Sequence, residues 1–172
     1  MPTIQCPTVR STVQFNASGR IVSEMQTALN ARLKEIDAVS IFPLQVPMTG
    51  FFGDQTRTAV QYLQCLAFLK VDGVVGAITW AYLCEGSASM PVLKKGASGS
   101  LVGKVQQALK DGDFYTGTVD GDFGAKTETA VKAFQAARPG LVADGAIGAK
   151  TWTELSRFDA HSKSCFADNI SL

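Results

Sequence analysis

The sequence contains two copies of one pattern, and this internal repeat restricts the fold more than any other feature. The pattern has three blocks: Ser-Gly followed by Gln-x-Ala-Leu, then Gly-x-Phe-Gly-x-x-Thr, then Asp-Gly-x-x-Gly-x-x-Thr-Trp. These blocks begin at Ser18, Gly50 and Asp72 in the first copy and at Ser98, Gly121 and Asp144 in the second. Because all three recur in the same order, the chain is built from two diverged copies of one module.

Apolar residues recur at helical spacing within each block. In the second copy Thr127, Ala130, Val131 and Phe134 occupy positions i, i+3, i+4 and i+7, which predicts one apolar face on a helix. We therefore predict an all-α fold, with two tandem three-helix modules joined by a short linker. A core of about sixty residues is marginal alone, so packing of the two copies against each other would help.

Composition suggests where the modules begin and end. We assign residues 1–86 to the first module with an N-terminal extension and residues 98–160 to the second. Gly, Ser and Ala are frequent between them, so residues 87–97 are predicted to form a linker. Residues 161–172 show no clear period and are predicted to form a tail. Prolines within 37–48 predict a longer loop in the first copy.

The charge balance bears on the kind of partner. Sixteen basic residues against fifteen acidic ones give a formal net charge of +1, and no basic run is present, so no nucleic-acid partner is predicted. No stretch approaches the roughly 18 apolar residues that cross a bilayer, so we predict no membrane span. Residues 1–20 contain no apolar segment of the kind found in signal peptides.

Four cysteines allow three pairing schemes, and the sequence does not choose between them: Cys6, Cys65, Cys84 and Cys165. Two interpretations stay open, buried free thiols or two disulfides in an oxidised extracellular protein. A Cys65–Cys84 bridge would close a short loop and stabilise the fold by about 3 kcal/mol in the loop-entropy model.

Three stretches of the second copy form a recognisable signature. They are Val-Asp-Gly-Asp-Phe-Gly-Ala-Lys-Thr at 119–127, followed by Ala-Val-Lys-Ala-Phe-Gln, then Val-Ala-Asp-Gly-Ala-Ile-Gly-Ala-Lys-Thr-Trp at 142–152, and Gly-Ala-Ser-Gly at 96–99. Together they resemble the peptidoglycan-binding-domain-like family. The first copy matches more loosely, since Thr49 stands where the second copy has Asp120, and Phe51 where it has Asp122.

The resemblance implies a three-helix fold that binds bacterial cell-wall peptidoglycan, and hence an extracytoplasmic protein, secreted or in the cell envelope. Modules of that family usually accompany a catalytic domain. Here the two modules nearly fill the chain, so we expect a noncatalytic binding protein. A catalytic or envelope protein is a second candidate partner.

The predicted binding site lies at the turns before the second and third helices of the second copy. Its residues are Asp120, Gly121, Phe123, Thr127, Asp144, Thr151 and Trp152. Backbone N–H groups at helix N-termini can receive a peptide carboxylate, and an aromatic face suits a sugar. A structural interpretation competes for each of them. The aspartates would stabilise glycine turns, the threonines would pack or cap helices, and the aromatic residues would lie in the core.

No catalytic, metal or cofactor site is predicted. The single histidine, His161, leaves zinc chemistry without ligands, and a dyad with Cys165 has no supporting signature. Paired carboxylates could cut glycosidic bonds, which leaves a cell-wall hydrolase as a remote alternative. The main alternative is an interaction or structural module that keeps the fold without binding sugar.

Overall fold

A computed structural model describes residue 4 and residues 6–36 and 45–162. These residues form six α-helices and one short 3-10 helix, and they contain no β-strand. The helices are α1 (Arg20–Glu35), α2 (Asp54–Leu66), α3 (Ala77–Glu85), α4 (Ser100–Asp111), α5 (Ala125–Ala136) and α6 (Ala149–Ser162), with the 3-10 helix at Gly86–Ser89. The predicted all-α fold of two three-helix modules is confirmed. Within these ranges no helix is both long and apolar enough to cross a membrane.

Each module has its own core, assembled from the apolar faces that the helical spacing predicts. The first core contains Met25, Leu29, Leu63, Trp80 and Leu83, and the second contains Val105, Leu109, Phe134, Trp152 and Leu155. The corresponding residues of the two copies therefore occupy corresponding places. This equivalence makes the repeat a structural one.

An extended segment leads into each module and pairs with both of its turns. In the second module Leu93 pairs with Ile147, and Ser98 pairs with Asp122. In the first module Val13 pairs with Val75, and Ser18 pairs with Phe51. The indole N–H of Trp152 donates to the carbonyl of Pro91 at 2.8 Å. Residues 91–97 thus belong to the second module, which departs from the predicted linker.

The two modules pack directly against each other. Phe68 of the first module lies in the core of the second, where its ring centroid is 5.5 Å from that of Trp152. The hydroxyls of Tyr82 and Ser156 are 3.3 Å apart. The ammonium of Lys104 donates to the backbone carbonyls of Phe68 and Leu69, just after α2, and its distance to Phe68 O is 3.1 Å. The expectation that the copies pack together is confirmed.

One disulfide joins Cys6 to Cys84 and fastens the N-terminal segment to α3. Cys65 is also disulfide-bonded. The interpretation with free thiols is therefore wrong for Cys6, Cys65 and Cys84, and the Cys65–Cys84 bridge does not form. Sequence spacing could not select the pairing because the N-terminal segment meets α3 only in the folded chain. Cys165 lies outside the described residues.

Two segment predictions remain partly outside the structure. Helix α6 continues through Ser162, beyond the predicted start of the tail. Residues 163–172 and residues 37–44 of the predicted long loop lie outside the described residues.

Candidate functional site

A buried glutamine organises the turn between α4 and α5, where the predicted site begins. The Gln106 amide donates to the Asp120 carboxylate at 2.8 Å, the Asp122 carbonyl at 2.9 Å and the Thr127 hydroxyl at 3.0 Å. Its carbonyl oxygen accepts from the Gly121 N–H at 2.9 Å. One side chain from α4 thus fixes both the loop at residues 120–122 and the first helical turn of α5.

The same arrangement recurs between α5 and α6. The Gln135 amide donates to Asp144 at 2.9 Å, to the carbonyl of Ala146 at 2.8 Å and to Thr151 at 3.2 Å. Its oxygen accepts from the N–H of Gly145 at 2.9 Å. The sequence places both glutamines in the repeated pattern, but it does not show their hydrogen-bonding role. The signal was present, because both glutamines recur at equivalent places in the first copy, as Gln26 and Gln64.

The first module contains both counterparts, one complete and one altered. Gln64 bonds Asp72, the Val74 carbonyl and Thr79 at 2.9, 3.0 and 3.2 Å. In the other turn Thr49 replaces the aspartate, and its hydroxyl accepts from the Phe51 N–H at 3.2 Å. That turn keeps a side-chain acceptor for the Phe51 N–H but has no carboxylate.

Four of the predicted site residues have buried side chains. Phe123, Thr127, Thr151 and Trp152 are between 1% and 6% exposed. The threonines complete the glutamine networks, while Phe123 and Trp152 fill the second core. These side chains hold the turns in shape and present no surface to a ligand. Their positions agree with the structural interpretation, in which the threonines pack against the turns and the aromatic rings lie in the core.

Gly121 has a backbone role. Its φ is +76°, and a Cβ there would lie 3.1 Å from the carbonyl oxygen of Gly99. The Gly99 N–H donates to the Gly121 carbonyl at 2.9 Å. The turn therefore needs glycine both for its left-handed conformation and for this close approach.

Asp120 and Asp144 are the exposed members of the predicted set. The backbone N–H of Asp122 and the Gln106 amide lower the pKa of Asp120, and the N–H of Ala146 and the Gln135 amide lower that of Asp144. Both are therefore ionised at neutral pH and act purely as acceptors. Such groups suit the hydroxyls and amide N–H groups of a sugar-peptide ligand.

Sequence reasoning missed a cleft in the first module. It lies beside the turn that precedes α3. It has a volume of about 330 Å³ and is lined by residues that include Lys70, Asp72, Gly76 and Ile78. The loose match of the first copy at Thr49 favoured the second copy as the predicted binding site. The cleft is built from the turn that keeps its aspartate.

The described residues contain no group of three or more His, Cys, Asp or Glu side chains placed to bind a metal. The side chain of His161 and the whole of Cys165 lie outside what the structure describes, so the dyad considered from sequence is not tested.

Comparison with known proteins gives a family match in both modules. A family model described as "Putative peptidoglycan binding domain" matches residues 18–83 and again residues 98–155, which is more than half of the chain. Each match begins in the extended segment and ends in the third helix of its module.

Two curated proteins are similar over part of the chain. N-acetylmuramoyl-L-alanine amidase CwlM of Mycobacterium tuberculosis is 38% identical over 99 residues, covering 54% of this chain and 24% of the amidase. An uncharacterized protein in the bpoA1 3' region of Kitasatospora aureofaciens is 53% identical over 34 residues, covering 20% of this chain and 29% of that protein. The matches thus span less than a third of either relative. A crystal structure of the SleB N-terminal domain is 48% identical with a TM-score of 0.36, covering 38% of this chain and 88% of that one.

Proposed function

The chain belongs to the peptidoglycan binding domain family, and on that premise we propose that it binds bacterial peptidoglycan through its tandem modules without cutting it. The observation that carries this proposal is the family match in both modules, over residues 18–83 and 98–155. A duplicated binding module suits a polymer of repeating units. The relative named as an amidase is matched over 24% of its length, so the match gives no ground for an amidase activity in this chain.

The proposed contact surface in the second module consists of Asp120, Asp144 and the backbone at Gly121. The ionised carboxylates would accept hydrogen bonds from the wall polymer. Thr127, Thr151, Phe123 and Trp152 would act indirectly, by fixing the turns that present those groups.

An extracytoplasmic location forms part of the proposal. The Cys6–Cys84 disulfide supports it, because such bonds persist in oxidising compartments. The proposed ligand is found in the same place.

Cosedimentation with insoluble peptidoglycan tests the proposal. We expect the wild type to pellet with the polymer, and an Asp120→Asn/Asp144→Asn variant to pellet less, because asparagine can keep the turn hydrogen bonds but carries no charge. An Asp111→Asn/Asp113→Asn variant removes the same charge from the exposed end of α4 and should behave as wild type.

Each other outcome has a definite meaning. Equal pelleting of all three proteins would retain wall binding and move the site away from these turns. If the wild type stayed in the supernatant, the wall-binding proposal would be abandoned in favour of an interaction module with a protein ligand. Release of soluble fragments from the polymer would contradict the noncatalytic part.

A further inference from the structure

Cys65, in the last turn of α2, forms a disulfide with a partner other than Cys6 or Cys84. Those two cysteines are bonded to each other, and a cysteine sulfur forms only one disulfide. Cys65 is itself disulfide-bonded. Since the sequence has four cysteines, Cys165 is the one that can pair with Cys65 within the chain.

The fold of the module does not explain a cysteine at position 65. Cys65 is half-buried and packs against the first core. Ala136 occupies the corresponding place in α5, one residue after the organising glutamine in both copies, and the second module forms the same three helices. The specific contribution of Cys65 is therefore its bond.

Helix α6 runs beside α2 and brings the second module against the first. Phe68, just after α2, packs on Trp152 of α6 with the ring centroids 5.5 Å apart. Further back along α2, burial and the nearby Asp159 carboxylate of α6 raise the pKa of Tyr62 to about 12. Cys65 lies between Tyr62 and Phe68, so it belongs to the stretch of α2 that runs beside α6.

Only a short piece of chain separates α6 from Cys165. Helix α6 ends at Ser162, three residues earlier. Three residues extend by at most about 10 Å, and a disulfide joins Cα atoms roughly 5.5 Å apart. Arg157, near the end of α6, donates to the Glu35 carbonyl of α1 at 3.2 Å. The last turns of α6 thus lie against the first module, which permits a bond from Cys165 to Cys65.

We propose that Cys165 forms the second disulfide with Cys65, so that residues 163–165 are a covalent strap between the two modules. The bond forms when the two thiols lose two protons and two electrons to an oxidised dithiol carrier, whose own disulfide becomes two thiols. The Cys6–Cys84 bond lies within the first module and cannot join the copies. The strap ties α6 to α2 beside the Phe68–Trp152 contact, and a thiol reductant that opens it weakens the junction.

Cyanogen bromide cleavage of the unreduced full chain tests the pairing. Cleavage after Met25 and Met90 gives three parts, which contain Cys6, Cys65 with Cys84, and Cys165. A further cut after Met48 does not change this division of the cysteines. Under denaturing conditions we expect the part with Cys165 to stay attached to the part with Cys65 until a reductant is added. Mass spectrometry identifies the linked parts.

Two variants make the assignment specific. Cys6→Ser/Cys84→Ser should release the part before Met25 and keep the other two joined, because Cys65 and Cys165 are then the only cysteines. Cys165→Ser is the matched control and should release the last part. Release of the last part from the unreduced wild type, or linkage between two copies of the chain, would overturn the assignment.

Urea unfolding tests the effect of the strap on the junction. In the Cys6→Ser/Cys84→Ser variant, with folding checked by circular dichroism, a thiol reductant should lower the urea midpoint, because the opened bond no longer restricts the unfolded chain. A variant with all four cysteines changed to serine should not respond to the reductant. If the midpoint of the two-cysteine variant also stayed constant, the strap would not hold the modules together.

Discussion

Phe68 from the first module and Trp152 from the second place their rings 5.5 Å apart in a tilted arrangement, inside the core of the second module. Phe68 reaches it from a left-handed backbone conformation, with φ at +58°, directly after α2. Gly140 takes the corresponding place in the second module, with φ at +84°. The first module thus accepts a strained phenylalanine where a glycine would fit, and the strain is offset by packing across the interface.

Phe68→Ala should destabilise the chain by about 3 kcal/mol, because it removes a buried ring and keeps the strained backbone. Phe68→Gly should recover about 1 kcal/mol relative to the alanine variant, since glycine adopts positive φ without cost. Denaturant unfolding followed by tryptophan fluorescence measures both. Phe15→Ala, at a ring that is 39% exposed, is the control and should cost less. Wild-type stability in Phe68→Ala would show that the interface does not depend on this ring.

Gln106→Ala should destabilise the second module by about 2–4 kcal/mol, because it removes hydrogen bonds to four groups of the turn and α5 and leaves a cavity at a fully buried position. The neighbouring Gln107, which is exposed and bonds only Asp111 among the described residues, provides the control. Gln107→Ala should change stability by about 0.5 kcal/mol or less. The free energies of unfolding of the two variants decide the matter, and equal values would refute the organising role of Gln106.

Thr49→Asp should stabilise the first module by about 1 kcal/mol, because it restores the carboxylate that the other three turns of the repeat contain. An aspartate there can accept from the Phe51 N–H, as Thr49 does now, and also from the Gln26 amide, which lies in the same network. Thr49→Asn separates the effect of charge from that of shape. A loss of thermal stability in Thr49→Asp would show that this turn has diverged in geometry as well as in sequence.

Acid should destabilise the fold below about pH 4. The folded-state pKa values of Asp120 and Asp144 are lowered by hydrogen bonds to the ionised carboxylates. Their contribution is therefore present above the unfolded pKa of about 3.9 and is lost as the pH falls through the lower folded values. The melting temperature between about pH 5 and pH 2 tests this, and the Asp120→Asn/Asp144→Asn variant should show a shallower dependence. An unchanged slope would assign the acid sensitivity to other carboxylates.

Removing the Cys6–Cys84 disulfide should cost up to about 4.5 kcal/mol, since the bond spans a sequence separation of 78 residues and restricts the unfolded chain. A Cys6→Ser/Cys84→Ser variant tests this bond without reducing the bond at Cys65. Its urea midpoint should fall, while peptidoglycan binding by the folded protein should persist. An unchanged midpoint would mean that the N-terminal segment adds nothing to the stability of α3.

The sequence located the turns of the candidate site, but it did not show which of their side chains are exposed. The repeat identified the turns containing Asp120 and Asp144, and the family resemblance is confirmed by the two family matches. The sequence pattern could not separate the exposed site residues from the buried ones. Thr127 and Thr151 face inward only in the folded chain, where each hydroxyl meets a glutamine amide from the preceding helix.

The sequence by itself determined the duplication, the six helices, the glycine turns and the family, because these depend on local conformation and on apolar spacing within about ten to fifteen residues. Only the tertiary structure decided that residues 91–97 pack into the second module, that Cys6 pairs with Cys84, and that Phe68 crosses into the other core. Each of these is a contact between segments far apart in the chain. Such contacts leave no periodic signal, and their free energy depends on how the two modules fit together.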